Sequence, residues 1–189
     1  FRFVSLYYSH IQNNLINEDI TMQTSKAKGT YKIQANTVIN NSQEIAWALL
    51  SEFDNVYKWV PTISSSKGQG LEKVGVGHGR NCVIDGFGSI DETITLWSEG
   101  EGFEYDISPI GPLYGATSRW ELAENKNGQT VLTVTLVYSV RFGLFGKMLH
   151  SMMMRKKLSG SLSGTLNTVK NVLEDKNTSP EVFFKAIAA

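Results

Sequence analysis

Apolar and polar positions first alternate steadily from Thr30. Tyr31, Ile33, Ala35, Thr37 and Ile39 take turns with polar partners, which predicts a strand with one buried face. Asn41 or Ser42 stands where a helix cap belongs, and Ile45, Ala46, Leu49, Leu50 and Phe53 follow at helical spacing with Trp47 beside them. Asp54 opens a second short turn through Val56, Tyr57 and Trp59, which Pro61 stops because it has no N–H to give a helix. Beyond Pro61 the period shortens to two, and strands are predicted at about 63–70, 77–85, 89–99, 102–109, 115–124 and 129–142. Hairpin residues at Gly86 and Gly88, at Gly100 and Gly102, and at Asn125, Asn127 and Gly128 leave no room for crossovers, so the sheet is antiparallel. The final strand sets Leu132, Val134, Leu136, Tyr138 and Val140 against Thr133, Thr135, Val137 and Ser139, giving one apolar and one mostly polar face. From Leu144 to about Asp175 the period becomes helical, with a stripe of Met148, Met152, Leu158, Leu162, Leu166, Val169 and Leu173.

These elements predict an α+β fold: a seven-stranded antiparallel curved sheet wrapped round a long C-terminal helix, with two short helices between strands 1 and 2. A sheet with one apolar face and a single amphipathic helix bury both surfaces by curling the sheet round the helix. One helix does not fill the concavity of seven strands, so a cavity is expected beside it. Residues 1–28 read as a tail or loose arm, 29–176 as the domain and 177–189 as a second tail, with Met22 a candidate internal start.

Composition narrows the function classes. The 189 residues carry 18 bases and 18 acids, so no net field gathers nucleic acid. A single cysteine excludes a disulfide framework and a multi-thiolate zinc site, and His10, His78 and His150 are not at ligand spacing. No metal and no cofactor is expected. Apolar runs fall short of the roughly 18 residues that span a bilayer, so no stable membrane insertion is expected. The expected compartment is the cytoplasm and the expected state a monomer or homodimer. Charge is nevertheless uneven: residues 84–124 hold nine acids with Arg119 as the one base, whereas the terminal helix carries Lys147, Arg155, Lys156, Lys157 and Lys170 against Glu174 and Asp175. That helix reads either as a solvated face opposite an acidic sheet or as a surface for anionic lipid.

Several side chains are candidates to line or gate the cavity, each with a structural alternative. Arg80 and Glu92 fall nearly opposite each other on the hairpin that turns at Asp85–Ser89. They form either an ion pair within the concavity, where Glu92 shares a face with Ile90, Ile94 and Leu96, or a salt bridge at the rim. Phe103, Tyr105 and Ile107 share one strand face and Ser118, Trp120 and Leu122 another, so Tyr105, Trp120 and Tyr138 point inward with Trp59 nearby. Their polar atoms answer to backbone in a solid core, or to water and ligand in a cavity. Gly160 and Gly164, next to Ser159 and Ser163, either leave room for a ligand or meet close packing or solvent. Met152 with its neighbours Met153 and Met154 supplies adaptable surface or plain core. The glycines around His78 feed a strand rather than a helix, so they are no dinucleotide loop. Cys82 reads as a small buried hydrophobe.

The order of elements and several local strings resemble the helix-grip superfamily, which includes polyketide cyclases/dehydrases, START lipid-transfer domains, the birch pollen allergen class and the abscisic-acid receptors. The strings are Ile45–Phe53 followed by Trp59, Val60 and Pro61; Val74–Arg80; Ser89–Ile94; Tyr105–Ile107; and Leu166–Glu174. The resemblance is closest to the polyketide cyclase/dehydrase family and spans about residues 30–175. It implies a hydrophobic pocket between sheet and helix, with Asp85–Ser89 in the place of a gate and Pro109–Gly115 in that of a latch. Phe87 and Tyr114 would be the side-chain stoppers; both loops depart from the receptor sequences. Two functions follow: binding or transport of a bulky hydrophobic molecule, or ring closure of a polyketone with Arg80, Glu92, Tyr105 or Tyr138 moving protons. A partner-binding regulator with no enclosed ligand is the third.

Overall fold

The computed structural model describes residues 30–70, 74–144, 148 and 153–175. The expected arm at 1–28, the tail at 177–189 and Met152 lie outside the described residues. In chain order the elements are β1 (Tyr31–Ile39), α1 (Gln43–Leu50), a 3₁₀ helix (Phe53–Lys58), β2 (Ile63–Gln69), β3 (Gly79–Ile84), β4 (Gly88–Ser98), β5 (Gly102–Ile107), β6 (Leu113–Glu124), β7 (Thr130–Val140) and α2 (Arg155–Glu174). Ser42 is the α1 cap: its Oγ accepts the Ile45 N–H at 3.4 Å. Ala46, Trp47, Leu49 and Leu50 are buried on one side of that helix.

The strands form one antiparallel sheet in the order β1-β7-β6-β5-β4-β3-β2. Every neighbouring pair except β1–β7 is consecutive in sequence, and the chain passes from one edge strand to the other through the two short helices. Register carries the apolar face across the sheet: Ala35 opposes Val134, Val134 opposes Trp120, and Trp120 opposes Phe103. Simple alternation is interrupted where the register shifts, at Ile63/Ser65, Ile94/Leu96 and Tyr114/Thr117. A bulge between Ile94 and Leu96 sets Trp97 opposite Phe103, so Leu96 leaves the face of Ile94 and opens on the other side of the sheet. At Gly102 the backbone takes φ +151°, and a Cβ there would stand 2.1 Å from the Trp120 carbonyl oxygen, so only glycine closes this hairpin.

The α2 stripe buries Leu166, Val169 and Leu173, whereas Leu158 and Leu162 are half-buried. Its C-terminus is tied to the end of β1. The Asn40 N–H donates to Glu174 Oε1 at 2.7 Å, Asn41 Nδ2 to the Leu173 carbonyl at 2.9 Å and Lys170 Nζ to the Val38 carbonyl at 2.5 Å. The sheet therefore has two unlike ends. The short helices and the C-terminus of α2 close one. At the other, the mouth, the β3–β4 turn, the β5–β6 connection, the exit from β7 and the N-terminus of α2 come together: Ser108 N–H donates to the Asp91 carbonyl at 2.8 Å, and Arg141 N–H to that of Pro112 at 2.9 Å.

Candidate functional site

β3 and β4 pair with Arg80 directly opposite Glu92, both on the inner face. Arg80 is 3% exposed and Glu92 4%, which settles the sequence alternatives in favour of the interior. Arg80 Nε donates to Glu92 Oε2 at 2.5 Å, and its Nη1 donates to the carbonyl of Phe53, the first residue of the 3₁₀ helix. The guanidinium also lies over the Phe53 ring, 3.7 Å from the centroid. Burial works to lower the Arg80 pKa, but Glu92, with smaller contributions from Tyr105 and Cys82, more than reverses this and keeps the cation charged. Cys82 Sγ lies 3.7 Å from Glu92 Oε2 and 3.5 Å from Ser66 Oγ, and burial followed by the Glu92 charge pushes its thiol up to about 11. The pair thus pins the 3₁₀ helix to two strands, with its charges answered from within.

Tyr105, on β5, opposes Ser118 on β6, whose Oγ accepts the Trp120 Nε1–H at 3.1 Å. Burial, then the Glu92 charge, raises the Tyr105 pKa, so the phenol holds its proton. Ile94 is buried in the same interior. Trp59 meets Trp120 edge-on at 5.7 Å between centroids, and its buried Nε1 has no hydrogen-bond partner among the described residues. Phe103 stacks between Trp97 and Trp120 at 5.7 and 6.1 Å. This half of the interior is filled with rings.

Two contacts here carried no clear sequence signal. His78 Nε2 lies 2.7 Å from Asp54 Oδ1, joining the loop before β3 to the 3₁₀ helix. Asp54 in turn rests over Gly68, where a Cβ would come within 2.3 Å of its Oδ2. The lone glycine in β2, Gly68, is the one mark in the sequence that fits such a close approach.

The remaining candidates separate. Tyr138 is buried in a second group of core residues with Ile33 and Ala116; half-buried Ile107 and Leu162 pack against both groups. Phe87 is 69% exposed on the β3–β4 turn, and exposed Tyr114 has the Arg141 guanidinium 5.4 Å from its ring centroid. Gly160 and Ser163 lie on an exposed part of α2, the solvent-facing alternative of the sequence reading. A Cβ added at Gly160 or Gly164 meets nothing within 4 Å, because both glycines project from the helix face opposite its buried stripe.

The marked grooves among the described residues also lie away from the concave face. One of about 610 Å³ is lined by Gln34, Gln43, Leu96, Arg119, Glu121 and Thr133, on the outer side of the sheet. Another, of about 230 Å³, adjoins it around Lys32, Glu104 and Thr135. Arg119 Nε donates to Glu104 Oε2 at 3.1 Å on that face. Among the described residues no group of three or more His, Cys, Asp or Glu side chains is arranged to hold a metal ion.

Residues 30–174 match the family model described as polyketide cyclase/dehydrase and lipid transport. Among curated proteins none matches the sequence. Among solved structures, the protein XoxI from Bacillus cereus is 19% identical with a TM-score of 0.62, the alignment covering 79% of this chain and 100% of that one. A protein from Nitrosospira multiformis is 18% identical with a TM-score of 0.59, covering 79% and 100%. Ara h 8.0201 is 15% identical with a TM-score of 0.57, covering 76% and 97%. At these identities the likeness shows the fold, a curved antiparallel sheet gripping a C-terminal helix.

Proposed function

Because the chain belongs to the polyketide cyclase/dehydrase and lipid transport family, we propose that it binds a bulky hydrophobic small molecule between the mouth end of the sheet and the N-terminal half of α2. The observation that carries this reading is the division of the core. Buried residues form two groups, and the side chains that bridge or flank them toward the mouth, Ile107, Leu113, Leu136, Val140, Leu158 and Leu162, are only half-buried. Half-buried apolar surface beside a closed core gains free energy when an apolar guest covers it, at about 25 cal/mol per Å².

Binding is favoured over catalysis by the state of the proton-carrying candidates. The Glu92 side chain is held by Arg80, Arg80 by Glu92 and the Phe53 carbonyl, and the Tyr105 phenol keeps its proton. Native mass spectrometry of the full chain purified from its own host is expected to show a retained apolar compound, released by organic solvent. Protein that emerges empty and gains no thermal stability from any of a panel of fatty acids, isoprenoids and aromatic polyketides would reject the reading. Turnover of a polyketone that is abolished by Tyr105→Phe while affinity is kept would replace it with catalysis.

A further inference from the structure

The mouth carries an arrangement that a soluble binder does not need. Leu144 is 84% exposed, Phe87 69% and Phe142 66%; Met148 and Met153 are also exposed. These apolar side chains come from the β3–β4 turn, the exit from β7 and the approach to α2, all at one end of the sheet. Phe142 has φ +73°, in the left-handed region, where an aromatic side chain is strained, and no burial compensates it. Exposed Arg141, Arg155, Lys156 and Lys157 accompany them, and Met153, Lys156, Lys157 and Gly160 share one open face of α2. The sequence contains no Asp or Glu anywhere from Asn125 to Leu173; toward this end of the sheet the acids are Asp85, on the Phe87 turn, and Asp91 and Asp106, whose side chains are held on the outer face by Asn81 and Thr117. Other acids lie elsewhere: Glu99, Glu101, Glu121 and Glu124 are at the α1 end or on the outer sheet face.

We propose that the mouth docks reversibly on an anionic lipid bilayer, with Phe87, Phe142 and Leu144 entering the interface and Arg141, Lys156 and Lys157 facing the headgroups. Exposed apolar tips supply insertion, the bases supply attraction to negative lipid, and the acid-free stretch removes the repulsion that would oppose it. No helix of the described residues is long and apolar enough to cross a membrane. The docking surface stands on exposure and charge alone and holds whatever the interior carries.

The test is co-sedimentation of the full chain, without added cargo, with phosphatidylcholine vesicles that either contain or lack phosphatidylserine. Binding is expected only with phosphatidylserine and is expected to fall as salt is raised. Lys156→Gln together with Lys157→Gln should weaken it about 30-fold, and Phe142→Asn, which suits the left-handed backbone, about tenfold with no loss of thermal stability. Absence of binding, equal binding to both vesicle types, or a solution dimer that Phe142→Asn dissolves would each overturn the proposal. None of these results depends on whether native mass spectrometry finds a ligand, so the two readings fail separately.

Discussion

At the α1 end, Trp47, Phe53, Trp59, Trp97, Phe103 and Trp120 turn their rings into one another; at the mouth, Phe87, Tyr114 and Phe142 turn theirs toward solvent. The same residue types serve opposite ends of one sheet. At the first end the short helices bring apolar surface to meet the strands, and the C-terminus of α2 is tied down by Asn40, Asn41 and Val38. At the second the described residues provide no such cover, and Leu158 and Leu162 stay half-buried where Leu166 and Leu173 are buried. Stability is therefore concentrated where the chain is closed.

The strongest way to break this contrast is to hollow out the closed end. Trp120→Ala or Phe53→Ala is expected to cost about 3–5 kcal/mol, against roughly 0.5 kcal/mol or less for Phe87→Ser, measured by urea unfolding. Glu92→Gln should cost a similar 3–5 kcal/mol or so by stranding a buried guanidinium, whereas Arg80→Met with Glu92→Leu is expected to be near neutral. A mouth substitution as costly as Trp120→Ala would end the distinction.

A smaller effect is alkaline. Burial raises the Cys82 thiol from 9.0 to about 11 and raises the Tyr105 phenol, so both stay protonated in the folded state after the unfolded chain has begun to lose its protons. The contribution is fully present below the unfolded value near 9.0 and is lost as pH rises through about 11. Cys82→Ala should remove the thiol's share, on the order of 2 kcal/mol, from the alkaline fall in denaturation free energy.

Smaller still, Gly160→Ala and Gly164→Ala should each stabilise the chain by about 1 kcal/mol, because exposed helix glycines gain propensity with nothing to clash against. Destabilisation by either would put these positions back against the sheet. The smallest change is acidic. Burial works to raise the Glu174 pKa, but hydrogen bonds from Lys170 and the Asn40 N–H lower it overall. Its contribution is present above the unfolded value and lost as pH falls through the folded one, and Glu174→Gln should flatten that slope slightly.

The amino-acid sequence by itself determined the element order, the antiparallel hairpins, the inward faces of β5 to β7 and the opposition of Arg80 and Glu92, because strand alternation and turn chemistry are local. It also determined the lopsided charge, since an acid-free stretch is a matter of composition. Tertiary structure alone decided that the Arg80–Glu92 pair is buried and bound to the Phe53 carbonyl, that the Ile94–Leu96 bulge exchanges Leu96 for Trp97, and that Gly160 faces outward. The reason in each case is contact between residues far apart in the chain: a period of two cannot register one extra residue, and a helical glycine looks the same in sequence whether its face meets a sheet or water.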